Sequence, residues 1–273
     1  MFFRVIFLII PIILFSCSKE KVQYEPKPRL DPYILYEEAY KAFERGDLFF
    51  AQKKFSEAEL NFDVVEYAAK SSIMASYCLY GINFYSEAME SINKFLKKYP
   101  ADKNVIYAHY LIAIIYFEQI TDEKKDAEPI LKAKKKIEFF LNEFPNNDYA
   151  TDLQFKRDLI INQLAAKELY VAKYYVSTQK WIPAINRFKI IVEDYSQTIF
   201  IEEALHRLVE TYYFIGLEKE AEKYAKILGY NYNSSDWFKQ SYKILNKDYK
   251  QIIKKEKTNK KDNLLKRIIK KIK

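Results

Sequence analysis

One pattern recurs five times in this 273-residue chain and restricts what it can fold into. A small residue is followed by an apolar residue four positions on, then by another three after that. The copies are Ala51/Phe55/Ala58, Ala88/Ile92/Phe95, Ala133/Ile137/Phe140, Ala184/Phe188/Ile191 and Ala221/Ala225/Leu228. Residues spaced in this way share one face of an α-helix. Successive copies start 37, 45, 51 and 37 residues apart. Twelve residues ahead of the first position, three copies carry a further small side chain: Ala39, Ser76 and Ala172. Small residues at both places let two helices approach closely. A helix pair of this kind cannot bury its apolar stripe alone, so each copy needs the next one.

The segment Leu169–Ser196 displays the unit most fully. Leu169, Ala172, Tyr175 and Val176 form one stripe, and Trp181, Ala184, Ile185, Phe188, Ile191 and Val192 form the next. The break between them falls at Ser177–Lys180, and Pro183 sits in the first turn of the second helix, where a missing N–H costs little. The second helix of a unit ends at Tyr99-Pro100, Phe144-Pro145 or, with serine for proline, Tyr195-Ser196. A unit of about 34 residues with insertions is similar to a tetratricopeptide repeat. The expected fold is therefore all-α, a superhelical array of about five tetratricopeptide-like helix pairs.

Two units carry additions. Ala113 and Ala133 are twenty residues apart instead of twelve, which puts eight extra residues around Gln119–Glu128 in a polar loop. In the fourth unit the helical pattern runs back to about Tyr149, a helix of roughly 40 Å at 1.5 Å per residue, long enough to join two halves of a superhelix rigidly. Of the four glycines, Gly46, Gly81 and Gly216 fall near turns between paired helices and Gly229 near a helix end. No alternating strand pattern of useful length occurs.

Residues 1–16 precede the fold. They hold one positive charge, Arg4, an apolar run too short for stable spanning, and a small residue before Cys17, the marks of a secretory signal. Leu14-Phe15-Ser16-Cys17 resembles a bacterial lipobox, which implies acylation of Cys17; ordinary cleavage or an uncleaved anchor are the other readings. Ser18 follows in place of the aspartate associated with inner-membrane retention, implying an outer-membrane anchor. Acyl chains contribute about 0.8 kcal/mol per buried methylene. Residues 17–32 hold three prolines and no periodicity, and read as a linker. Residues 33–145 then hold repeats 1–3, residues 146–245 repeats 4 and 5, and residues 246–273 a basic tail. That tail carries twelve basic and three acidic residues, net +9, so the rest of a +8 chain sums to −1. Its last ten residues space Leu264, Leu265, Ile268, Ile269 and Ile272 as an amphipathic helix would; a solvated extension is the alternative.

Catalytic chemistry finds little support. The two histidines, His109 and His206, stand alone on their helices. Glu202, His206 and Glu210 share a face at i, i+4 and i+8 that could hold a metal, although a solvated ion-pair face is the commoner arrangement. No HExxH, GxSxG, phosphate-cradling loop or CxxC is present. Cys78 lies on an apolar stripe with Ala75, Leu79 and Ile82; with Cys17 acylated it has no disulfide partner and reads as a buried, inert thiol. No cofactor and no nucleic-acid partner are expected. The 24 tyrosines and 20 phenylalanines read mainly as repeat packing, some lining a concave surface as anchors for partner peptides.

The acylated N-terminus, the linker and five repeats resemble the BamD (ComL-like) family of lipoproteins in the outer-membrane β-barrel assembly machinery. The resemblance runs from Cys17 to about Tyr230. It is carried by Asn146–Asp152 (NNDYATD), Tyr170–Arg187 (YVAKYYVSTQKWIPAINR), Glu220–Leu228 (EAEKYAKIL) and Asn104–Ala113 (NVIYAHYLIA), the last with Asn104, Tyr107 and Tyr110 in place. The resemblance implies a non-catalytic scaffold held on the periplasmic face of the outer membrane. Its C-terminal repeats would grip the last POTRA domain of the barrel-inserting subunit BamA, and its N-terminal repeats would receive the C-terminal strand of unfolded outer-membrane proteins; other Bam lipoproteins are further implied partners. Arg187 matches the family arginine that pairs with an acidic POTRA residue, a role suited to a planar guanidinium. Where the family closes its first repeat with an aromatic-proline pair, this chain has Phe62-Asp63, with Tyr67 matching a downstream aromatic. Another lipidated repeat protein of the envelope, such as a secretin pilotin or a cell-division coordinator, is the alternative; an envelope hydrolase is a more distant one.

Overall fold

The computed structural model describes residues 30–120 and 127–246. The leader, Cys17, the linker up to residue 29, the centre of the third-repeat insertion (121–126) and the basic tail from residue 247 lie outside the described residues. Those residues form eleven α-helices and no strand. In chain order they are α1 (Pro32–Glu44), α2 (Leu48–Asn61), α3 (Val65–Gly81), α4 (Tyr85–Lys98), α5 (Val105–Glu118), α6 (Glu128–Glu143), α7 (Asp148–Ser177), α8 (Trp181–Asp194), α9 (Ile201–Phe214), α10 (Glu218–Asn231) and α11 (Asp236–Leu245). The array is the tetratricopeptide-like one that the spacing predicts. No helix among the described residues is long and apolar enough to cross a membrane.

Local chemistry sets the helix ends. Asp31 accepts from the Tyr33 N–H at 2.9 Å and caps α1, whose first residue is Pro32. Asp47, Asn147 and Ser235 cap α2, α7 and α11 in the same manner, each satisfying an N–H that the helix leaves without an internal partner. The second helix of every repeat, α2, α4, α6, α8 and α10, carries the small-apolar-apolar pattern. All five copies are buried.

Four of the five helix pairs are joined by a turn of three residues: 45–47, 82–84, 178–180 and 215–217. Each turn holds one residue with positive φ, five positions ahead of the small residue of the pattern. These are Gly46 (80°), Asn83 (62°), Gln179 (59°) and Gly216 (82°). Gly46 and Gly216 are the natural occupants of that conformation; Gly81 instead ends α3 and leaves the left-handed position to Asn83. Gly229 lies within α10, and its missing side chain serves packing: a Cβ there would meet the Phe238 ring of α11 at 2.7 Å.

The far end of each second helix is closed by an aromatic residue. Phe62, Tyr99, Phe144, Tyr195 and Tyr232 are the C-cap residues of α2, α4, α6, α8 and α10, each eleven positions past the small residue and each donating its N–H to the carbonyl four back. Phe62 thus closes the first repeat as its counterparts close theirs, without a following proline.

The chain divides after Ala75 into two compact units. In the first, α1 and α2 pair through Leu35, Ala39, Ala42, Ala51, Phe55 and Ala58. The second unit contains two apolar cores. One gathers Ala113, Ile130, Ala133, Ile137 and Phe140 against Ala150, Leu153, Ile160 and Leu164 of α7. The other gathers Ala184, Phe188, Ile191, Leu205, Leu208 and Leu228 against Ala165, Leu169 and Ala172 of the same helix. At 30 residues α7 spans roughly 45 Å and supplies one wall to each core. Tyr195 packs against both.

Candidate functional site

Two surfaces contain the residues singled out in the sequence. The first lies in the N-terminal unit. Val65 opens α3 only three residues after α2 closes, which brings Tyr67 alongside the capping Phe62. Phe62 and Tyr33 of α1 meet edge to face at 5.1 Å and 89°. Tyr67 lies 5.7 Å from Tyr33 and 5.5 Å from Phe62. Phe62 is half-buried and reaches inward to Tyr36, which itself packs on the core residue Phe55 at 5.3 Å. Tyr33 and Tyr67 stay 57% and 45% exposed. Such contacts are worth roughly 0.5–1.5 kcal/mol each beyond burial, so the trio is held as a rigid, amphipathic rim. Ile34, Leu60, Val64 and Val65, on the same segments, are exposed as well. Tyr33 and Tyr36 were not singled out from the sequence, because they lie about thirty residues from Phe62 and nothing in local spacing connects them.

The second surface is the seam between α7 and α8. Ala184 and Phe188 turn one face of α8 into the core, and this sets Arg187 at the edge facing α7. There its Nη1 donates to both oxygens of Glu168, at 2.9 Å to Oε2 and 3.3 Å to Oε1. The Glu168 side chain is only 18% exposed and that of Arg187 is 40% exposed. The solvated surface charge suggested by sequence alone is therefore a half-exposed arginine with an internal partner. One nitrogen carries that pairing. Among the described residues Nε and Nη2 have no partner, and those two donors form the edge that meets a carboxylate in two parallel hydrogen bonds. Tyr195 lies near: burial pushes its hydroxyl pKa upward, and the Glu168 charge adds to the effect.

The face carrying Glu202, His206 and Glu210 takes a different form from a metal site. His206 is buried, at 1% exposure, with Nδ1 2.8 Å from Ser241 Oγ of α11 and its ring 5.1 Å from Trp237. Nε2 faces Glu210 at 3.4 Å. Burial raises the Glu210 carboxyl pKa, but hydrogen bonds from His206 and Arg207 outweigh it and hold the group below its usual range. Glu203 rather than Glu202 joins this network, accepting from Lys173 of α7 at 2.7 Å and from Arg207. The chain of contacts ties α7, α9 and α11 together. No group of three histidine, cysteine or acidic side chains among the described residues is arranged to hold a metal. His109 packs against Phe139 and Phe144.

Tyr107 and Tyr110 are structural in their immediate surroundings. Tyr110 stacks on Tyr149 at 4.4 Å and donates its hydroxyl to Asp152 at 3.0 Å. Tyr107 packs against both rings. They bind α5 to the start of α7, where the segment Asn146–Asp152 supplies the receiving residues. Cys78 is buried, and burial alone pushes its thiol up to about 12.

A family model described as YfiO, outer membrane lipoprotein, matches residues 28–227. Two curated relatives, each described as outer membrane protein assembly factor BamD, align over most of their length. That from Caulobacter vibrioides is 34% identical over 257 residues, 94% of this chain and 83% of the relative. That from Rickettsia prowazekii is 31% identical over 245 residues, 87% of this chain and 94% of the relative. A third, from Xylella fastidiosa, is 24% identical over 75% of this chain. The match takes in four complete copies of the buried pattern with Ala221 and Ala225 of the fifth, stops one residue short of Leu228, and leaves out α11 and the basic tail. On this breadth of similarity, and with the repeat fold that carries it, the chain belongs to the YfiO/BamD family of outer-membrane lipoproteins.

Proposed function

We propose that this protein is a non-catalytic scaffold of outer-membrane β-barrel assembly, docking on the barrel-inserting subunit BamA through Arg187. The observation that carries the reading is the open Nε/Nη2 edge of an arginine whose third donor is already fixed to Glu168. A guanidinium so presented suits a carboxylate on the face of a POTRA domain. Family membership supplies the context, since relatives are described as assembly factors. The rim of Tyr33, Phe62 and Tyr67 would receive the C-terminal strand of an unfolded barrel protein, its half-exposed rings acting as low-entropy anchors. Acylation at Cys17 would hold the chain on the periplasmic face of the outer membrane, within reach of both partners and of other Bam lipoproteins.

The test is recovery of partners from detergent-solubilised envelopes with the full-length lipoprotein as bait. Arg187→Gln is preferable to Arg187→Glu, because glutamate would stand against Glu168 and confuse docking with repeat packing. Losing one side of a hydrogen-bonded interfacial charge pair costs about 2–3 kcal/mol, a roughly 30- to 150-fold weaker complex, with helix content unchanged. Equal recovery of BamA by wild type and variant would refute the role of Arg187. Capture of a secretin or a division protein in place of BamA would refute the assembly reading itself.

A further inference from the structure

We propose that Glu168 is a positioning residue for docking: it holds the Arg187 guanidinium so that the Nε/Nη2 edge faces a partner carboxylate. The inference rests on the reading that Arg187 meets an acidic side chain. Glu168 sits on α7 beside Leu169, whose side chain is buried in the core together with those of Ala165 and Ala172, so its backbone is fixed by packing on the face next to it. Its carboxylate is largely shielded, at 18% exposure, and spends both oxygens on the single nitrogen Nη1.

An arginine that is 40% exposed would otherwise sample several rotamers. Freezing them when the partner arrives weakens association, whereas freezing them beforehand does not. An internal carboxylate can also compete for the guanidinium. The geometry argues against competition, because Glu168 occupies the end of the fork and leaves its bidentate edge open. The two carboxylates would lie on opposite sides of one delocalised cation, which separates their charges as far as a single arginine allows.

The experiment measures affinity of the full-length lipoprotein for purified, detergent-solubilised BamA, using wild type, Glu168→Ala, Glu168→Gln, Arg187→Gln and the double variant Glu168→Ala/Arg187→Gln. Positioning predicts that Glu168→Ala weakens binding roughly 3- to 10-fold, the scale of immobilising one long side chain on association. Glu168→Gln, which keeps an oxygen acceptor, should recover most of that loss. The double variant should bind no more weakly than Arg187→Gln, since Glu168 acts only through the arginine. Glu168→Ala binding as tightly as wild type, or tighter, would overturn the inference, as would losses that add in the double variant. Should Arg187→Gln itself bind normally, the docking reading fails and takes this inference with it; a normal Glu168→Ala beside a weakened Arg187→Gln removes the inference alone.

Discussion

Helix α7 is a wall of two apolar cores at once, and replacing one phenylalanine in each tests whether the cores melt together. Phe188 belongs to the core of α8, α9 and α10, and Phe140 to the core of α5 and α6; both are fully buried. Truncating a buried phenylalanine to alanine costs about 3–5 kcal/mol, from lost transfer energy and from the cavity left behind. With a urea slope of about 2–3 kcal/mol/M, the midpoint should fall by roughly 1–2.5 M. The chain has two tryptophans, and both report on one side of α7: Trp237 packs against the Phe188 core and Trp181 contacts Phe214 at 4.5 Å. Circular dichroism at 222 nm reports on every helix. Melting one core alone would cut α7 near the junction of Leu164 and Ala165, and each new helix end would leave four backbone groups without internal partners. Phe140→Ala should therefore lower the tryptophan transition almost as far as Phe188→Ala does, and the two probes should coincide in both variants. If Phe140→Ala lowered the dichroism transition while the tryptophan transition stayed at the wild-type midpoint, α7 would not couple the cores and the reasoning would be wrong.

The turns and the buried thiol supply the other expected outcomes. Gln179 holds φ at 59°, where a side chain costs about 1–2 kcal/mol, whereas Gly46 holds 80° without that cost. Gln179→Gly should stabilise by about 0.5–1 kcal/mol after the larger unfolded-state entropy of glycine is subtracted, and Gly46→Ala should destabilise by about 1 kcal/mol; thermal melts showing the same sign for both would refute the strain argument. The Cys78 thiol, raised to about 12, should resist a thiol reagent at pH 8 until the protein unfolds, because the thiolate is the reacting form. Its folded pKa exceeds the unfolded one, so the folded state holds the proton more tightly and stability should fall as pH climbs from about 9 towards 12; Cys78→Ala should flatten that part of the pH profile.

The buried pattern was legible because a helix repeats every 3.6 residues, and burial of a stripe leaves that period in the sequence. The long helix was legible for the same reason: its expected start near Tyr149 lies one residue from the observed Asp148. Aromatic closure of the repeats was visible only in part. Tyr99, Phe144 and Tyr195 stood out, while Phe62 looked like a departure for want of a proline, although the recurring element is the ring and the backbone bond behind it. Arg187 was named from the resemblance, but its partner Glu168 lies nineteen residues away on another helix, and no periodic signal joins them. The acidic residue that completes the network beside His206 was hidden for a similar reason. Glu202 and Glu203 are a helical step apart, and only the placement of Lys173 and Arg207 selects Glu203.

The three-residue turns also separate chain length from packing register. Between α5 and α6 the connection is nine residues long instead of three, yet Ala113 and Ala133 are buried as completely as the corresponding residues of the other pairs. Tripling a loop costs only about 1 kcal/mol in closure entropy. At that one junction length is a free variable: added sequence changes neither the phase of the helices nor the cores they enclose. Length can therefore be added between α5 and α6 while Ala113 and Ala133 keep their register in the same core.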